Sequence, residues 1–249
     1  MKKELDRRGF LKIGGTVTAG AAVGYGLPLI PISKAYASGK AADLSGTRWG
    51  MVIDASKCQD GCTACVDACR KENNVAFHDD PNTDIHWIRK AKIRRKHANA
   101  KEVNAPLLCN HCDDPPCALV CPVKATYKRE DGIVIVDKHR CIGCRYCLLA
   151  CPYDMRMFNY KENHSWENPL NPKRMHGVSE SCHFCYHRLD KGVMEPACVE
   201  ACNKADCGAM AFGDLNDSSS EVSQILASTM VRALREDLGA KPQVFYLGL

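Results

Sequence analysis

Sixteen of the seventeen cysteines fall into four groups of four, and this spacing limits the possible folds more than anything else in the chain. The groups are Cys58, Cys62, Cys65 and Cys69; Cys109, Cys112, Cys117 and Cys121; Cys141, Cys144, Cys147 and Cys151; and Cys182, Cys185, Cys198 and Cys202. Loops as tight as C-x2-C-x2-C disfavour a disulfide framework. They also disfavour zinc, whose four-cysteine sites usually pair two C-x2-C units across a spacer instead of crowding the thiols into about eleven residues. Cys207 lies outside every group, and the default for such a residue is a buried, inert thiol.

The third group reads C-x2-C-x2-C-x3-C and is followed by Pro152. That run binds cubane [4Fe-4S] clusters in bacterial ferredoxins, where the fourth cysteine ligates the other cluster of the pair. Sixteen thiolates at four per cubane give four [4Fe-4S] clusters. With the same crossover, one cluster takes Cys109, Cys112, Cys117 and Cys151, and its partner takes Cys141, Cys144, Cys147 and Cys121. The outer groups then give Cys58, Cys62, Cys65 and Cys202 for one cluster, and Cys182, Cys185, Cys198 and Cys69 for the other. His111 and His183 lie inside cysteine loops. With four thiols already present in each group, they are expected beside the clusters at most.

Clusters and their ligands would replace much of the usual apolar core, so the iron-free chain is expected to be unfolded or nearly so. The formal charge of +5 says little about partners, because residues 1–37 hold six Lys/Arg and two acids. Four oxidised cubanes would bring the remainder to roughly −7, which gives no support to nucleic-acid binding. No nucleophile–base pair, phosphate loop or dinucleotide fingerprint occurs, so the chain is expected not to be an enzyme on its own.

Arg7 and Arg8, followed by Phe10, Leu11 and Lys12, precede a mildly apolar stretch broken by Pro28 and Pro31. Ala35-Tyr36-Ala37 then gives a small-x-small cleavage signal. The arginine pair resembles the twin-arginine export signal, so residues 1–37 are read as a cleaved leader and 38–249 as the mature domain. The prolines and the cleavage signal argue against an uncleaved anchor, and no other stretch approaches a membrane span. Export of a folded protein suits clusters, which must be inserted before thiols meet an oxidising compartment.

Along the mature chain, residues 49–54 and 132–137 read as similar strands, each ending in Asp shortly before a cysteine group. The repeat suggests a duplicated two-cluster ferredoxin-like unit, an α+β fold of short strands, short helices and long loops. The last cysteine of each group is expected on a short helix. Gly61 and Gly143 are read as letting the backbone approach a cluster. Residues 85–93 alternate as a half-buried strand with Ile85, Trp87, Ala91 and Ile93 on one face. The basic run Lys90, Lys92, Arg94, Arg95, Lys96 and His97 adjoins it as a solvated face. Residues 153–181 read as a loop. Residues 218–238 read as an amphipathic helix with a Ser218–Glu221 capping box, a face of Val222, Ile225, Leu226, Met230, Ala233 and Leu234, and Gly239 closing it. A final strand is expected over 243–247.

The order and spacing of the four groups, with C-x2-C-x12-C-x3-C last, resembles the four-cluster electron-transfer subunits of the dimethyl-sulfoxide-reductase superfamily. Within that set, residues 48–54, 61–65 and 207–217 are most similar to subunits of the DsrO type, from DsrMKJOP membrane complexes of sulfur metabolism. The first group departs from the common pattern by one extra residue, in the stretch Gln59-Asp60-Gly61. The resemblance implies a periplasmic relay docked on an NrfD-type integral-membrane, quinone-interacting subunit. It also implies a multihaem cytochrome c and heterodisulfide-reductase-like subunits as companions. A second reading is the iron–sulfur wiring subunit of a molybdenum reductase, of tetrathionate or polysulfide type, or of a nitrite-reducing system.

Overall fold

The computed structural model describes residues 46–94, 102–164 and 166–249. The leader, its cleavage point and the Arg95, Lys96 and His97 part of the basic run lie outside the described residues. The elements begin with β1 (Trp49–Asp54), α1 (Ala64–Asn73), β2 (Ile88–Ile93), β3 (Val103–Leu108), α2 (Pro116–Leu119), β4 (Thr126–Lys128) and β5 (Val134–Val136). There follow α3 (Tyr146–Ala150), β6 (Met157–Phe158), β7 (Ser179–Glu180), α4 (Tyr186–Leu189), α5 (Ala197–Lys204) and β8 (Met210–Asp214). The chain closes with α6 (Glu221–Ser228), β9 (Arg232–Ala233), a 3-10 turn at Glu236–Leu238 and β10 (Val244–Leu247).

β1 is buried on both faces, as its continuous apolar run requires. Because successive side chains alternate, Met51 and Ile53 enter the main core, while Val52 faces a second cluster with Ala211 and Val222 under α6. β1 lies between β8, which it pairs antiparallel, and β10, which it pairs parallel, in a sheet ordered β8-β1-β10-β9. The chain entering β10 also clasps the second cysteine group. Asp113 N–H donates to Lys241 O at 2.9 Å, and Gln243 N–H donates to Asn110 O at 2.8 Å.

The two strands that share a sequence pattern have matching surroundings. β1 precedes the first cysteine group and pairs antiparallel with β8, which follows the fourth. β5 precedes the third group and pairs antiparallel with β4, which follows the second. Helices match in the same way, with α1 packed on α5 and α2 on α3.

Three expectations need correction. The helix expected over 218–238 ends at Ser228. Its continuation turns back so that Ala233 and Arg232 pair with Phe245 and Tyr246 of β10. Met230 is 83% exposed, and Leu234 packs on the main core instead of the helix face. The cap is Ser220, not Ser218: its Oγ accepts the Ser223 N–H at 3.2 Å. Residues 153–181 are not loop throughout, since β6 and β7 pair within them. Ile85 and Trp87 are buried as expected, but the strand begins only at Ile88, also buried. Ser220→Ala should lower stability by about 1 kcal/mol, the usual loss of an N-cap oxygen. The thermal midpoint should fall by a few degrees with iron content unchanged.

Candidate metal centres

The crossed pairing brings the first and fourth cysteine groups together. Cys65 sits on α1 and Cys202 on α5, and with Cys58 and Cys62 they line one small cavity. Burial pushes the Cys65 thiol up to about 12, helped by Cys202 and then by Cys58 and Cys62 and opposed by Lys90. Lys90 Nζ donates to the carbonyls of Gln59 and Cys62 at 2.7 and 2.8 Å, so one member of the basic run pins this loop. Elsewhere in that run Lys92 pairs with Asp60 at 3.3 Å.

Cys69 instead meets the fourth group. Cys198 is raised by burial and then by Cys185, Cys69 and Cys182. Burial and Cys69 raise Cys182. Asn73 Nδ2, one turn beyond Cys69, lies 3.7 Å from Cys69 Sγ and 3.6 Å from Cys185 Sγ. The inner groups cross too, since Cys109, Cys112, Cys117 and Cys151 line a second cavity with Arg156 and Tyr153. Burial pushes Cys109 and Cys112 up to about 12. Cys147 stands near Cys141, which receives the Ser179 N–H at 3.5 Å. Cys121 lies two residues beyond α2, the helix packed against the Cys147 helix α3, and Cys144 is exposed.

Cys121 and Cys151 therefore lie just past their helices, not within them, whereas Cys69 and Cys202 lie inside theirs. At both exceptions a backbone N–H four residues on reaches the sulfur: Ala125 to Cys121 at 3.1 Å and Met155 to Cys151 at 3.4 Å. Gly61 and Gly143 both take left-handed φ, 73° and 71°. Only Gly143 is also short of room, since a Cβ there would meet Gly177 O at 2.5 Å. At Gly61 the space is open, so conformation rather than close approach explains that glycine. His111 is buried and accepts the Val134 N–H at Nδ1, 3.0 Å away, while its ring lies 3.7 Å from Phe184. His183 is half-buried and lies edge-on to Trp87.

Several polar groups around the thiols gave no sequence signal. Arg156 is 2% exposed, and its Nη2 donates to Cys117 Sγ at 3.1 Å. Although burial works against its charge, Cys117, Cys109 and Cys147 hold it firmly protonated. Glu180, fully buried, accepts from Lys138 Nζ at 3.0 Å and from Trp87 Nε1 at 3.2 Å. Arg174 stacks on the Trp87 ring at 4.7 Å. Arg156 and Arg174 come from irregular segments and Glu180 from a two-residue strand, too short for periodicity to separate a buried charge from a solvated one.

Neighbouring sets touch electrostatically in sequence. Cys117 bears on Cys147, Cys109 on Cys182, and Cys65 on Cys198. Among the described residues, no three His, Cys, Asp or Glu side chains converge closely enough to hold a single metal ion. The sets have instead the chemistry of a larger sulfur-ligated group: buried thiols around a cavity, with N–H donors directed at sulfur.

Residues 100–215 match the family model for a 4Fe-4S dicluster domain. The chain is 41% identical to the Hdr-like menaquinol oxidoreductase iron–sulfur subunit 1 of Archaeoglobus fulgidus, over 98% of this chain and 98% of that protein. It is 37% identical to a tetrathionate reductase subunit of Salmonella typhimurium, over 98% and 88%. It is also 37% identical to the menaquinone reductase iron–sulfur cluster-binding subunit of Nitratidesulfovibrio vulgaris, over 80% and 88%.

Proposed function

The chain belongs to the 4Fe-4S dicluster family of iron–sulfur electron-transfer subunits of larger reductase complexes, and from that premise we propose that it carries electrons through four [4Fe-4S] clusters between a membrane quinone-interacting subunit and redox partners in sulfur metabolism. The clusters would be held by the four crossed sets of thiols given above. The observation that carries this reading is the chain of thiol neighbours. It supports a single path running from the Cys141 set to the Cys109 set, then to the set of Cys69, Cys182, Cys185 and Cys198, and last to the Cys58 set. The exposed Cys144 marks one terminus of that path, where an electron can leave without crossing a thick protein shell.

Each cluster would pass one electron at a time, and the protein's task is to space and tune the clusters. Arg156, placed among Cys117, Cys109 and Cys147, favours the added negative charge of the reduced clusters. Arg156→Met should lower the potential of the Cys109 cluster by roughly 90 mV, the one-electron equivalent of about 2 kcal/mol for a charge-assisted hydrogen bond. Redox titration followed by electron paramagnetic resonance reads this directly, and an unmoved potential would remove Arg156 from the tuning machinery.

The finer setting is a DsrO-type subunit, periplasmic after twin-arginine export and peripheral on the membrane through an NrfD-type partner. A multihaem cytochrome c and heterodisulfide-reductase-like subunits complete that reading, which the similarity to an Hdr-like menaquinol oxidoreductase subunit supports. The second reading, a wiring subunit of a molybdenum reductase, is favoured by the similarity to the tetrathionate reductase subunit over nearly the whole chain. Among the described residues no helix is long and apolar enough to cross a membrane. The test is a tagged pull-down from gently solubilised membranes, with subunits identified by mass spectrometry and haem and molybdenum assayed. An NrfD-type subunit with a cytochrome c and no molybdenum is expected; a large molybdenum-containing partner would replace the first reading with the second.

A further inference from the structure

The seventeenth cysteine stands apart from the four groups in sequence but not in space. Cys207 Sγ lies 3.9 Å from Cys62 Sγ. With Cys58, Cys62, Cys65 and Cys202 it lines the same cavity, and it is 8% exposed. The backbone fixes it there. Beyond α5, Asp206 and Gly208 on either side of Cys207 both take left-handed φ, 55° and 50°. The Cys207 N–H donates to Cys202 O at 3.3 Å, and the next turn is tied to β1 by Asp54 N–H donating to Ala209 O at 2.7 Å.

Facing it is the one cysteine loop with an extra residue. Gln59, Asp60 and Gly61 separate Cys58 from Cys62, where only two residues separate Cys109 from Cys112, Cys141 from Cys144 and Cys182 from Cys185. Lys90 holds this longer loop by its carbonyls at Gln59 and Cys62, which fixes its backbone beside Cys207. The site therefore presents five thiols where a cubane has four irons.

We propose that Cys207 is an exchangeable ligand of this site, competing with Cys62 for one iron of the cluster otherwise held by Cys58, Cys65 and Cys202. The proposal rests on the four-cluster reading. The exchange is a ligand substitution: the Cys62–iron bond breaks as the Cys207–iron bond forms. Cys207 releases its thiol proton, Cys62 takes one up, and no electron is transferred. A site built this way keeps its fourth iron when Cys62 is removed.

The test uses the full chain purified as holoprotein, separated from its partner subunits, as wild type, Cys62→Ala, Cys207→Ala, the double variant and, for comparison, Cys65→Ala. Wild type checks the underlying reading by itself, since about sixteen irons per chain are expected from four cubanes; a lower count there would overturn the four-cluster reading. Given that count, Cys62→Ala and Cys207→Ala should each retain the wild-type iron content. The double variant should lose about one iron and show the paramagnetic signal of an oxidised three-iron cluster, as Cys65→Ala does alone. A three-iron signal in Cys62→Ala alone overturns the proposal, as does its failure to accumulate where Cys207→Ala accumulates. In wild-type holoprotein, iodoacetamide followed by peptide mapping should label Cys62 and Cys207 in shared proportion; label confined to Cys207 also overturns the exchange.

Discussion

Replacing Cys151 with alanine should strip a ligand from the site of Cys109, Cys112 and Cys117 and leave the site of Cys141, Cys144 and Cys147 loaded, although Cys151 belongs to the latter group in sequence. The reason is geometric. α3 ends at Ala150, so Cys151 leaves the helix and enters the cavity lined by the second group. Losing one thiolate of four leaves an iron unanchored, so the expected product is a three-iron cluster or an empty site. Alkylation of the purified variant followed by peptide mapping distinguishes the sites. Where the site empties, Cys109, Cys112 and Cys117 should become reactive; where a three-iron cluster forms, its paramagnetic signal should appear; in both cases Cys141, Cys144 and Cys147 stay protected. The opposite pattern would defeat the crossed scheme. Cys121→Ala should give the reciprocal result.

Removing iron should abolish the cooperative fold altogether. Eleven of the seventeen cysteines are buried, so the thiols themselves make up a large part of the interior. With clusters present, thiolates, iron and sulfide fill that interior and bind it across the chain; without them it holds cavities lined by small side chains. A chelator under reducing conditions should therefore take near-ultraviolet circular dichroism and protease resistance away together with the brown colour. Retention of both by iron-free protein would show that the polypeptide alone suffices. Any structure left should be sensitive to alkali. Burial holds Cys65, Cys109 and Cys112 up to about 12 against an ordinary value of 9.0. Their contribution is fully present below the unfolded value and is lost as pH rises from 9 towards 12, because the unfolded chain ionises first.

The cysteine spacing made the thiols legible because their identity is local, and the structure gathers Cys58, Cys62, Cys65 and Cys202 at one cavity and Cys109, Cys112, Cys117 and Cys151 at another. β1 and β10 were legible as apolar runs bounded by polar residues. The helix over 218–238 was over-extended because helical periodicity is satisfied by Ala233 and Leu234 whatever they pair with. Here the competing partner was β10, which no window around residue 233 contains. Arg156, Arg174 and Glu180 were missed because a charge is read as surface unless its partner is known, and the partners are distant in sequence: a thiol, an indole and a lysine. Cys207 was given the ordinary fate of a solitary thiol, since nothing in its own stretch places it beside Cys62.

The parallel pairing of β1 with β10 also bears on synthesis at the ribosome. β1 is the first described strand to emerge, and its neighbour in the sheet is the last. The Cys109 site needs chain only as far as Cys151, whereas the Cys58 site must wait for Cys202. On the crossed scheme proposed above, the ligand set in the middle of the chain would be complete before the outer one, against the usual order in which N-terminal parts fold first. For a protein exported already folded, as proposed above, a chain without β10 would leave β1 with an open edge on that side.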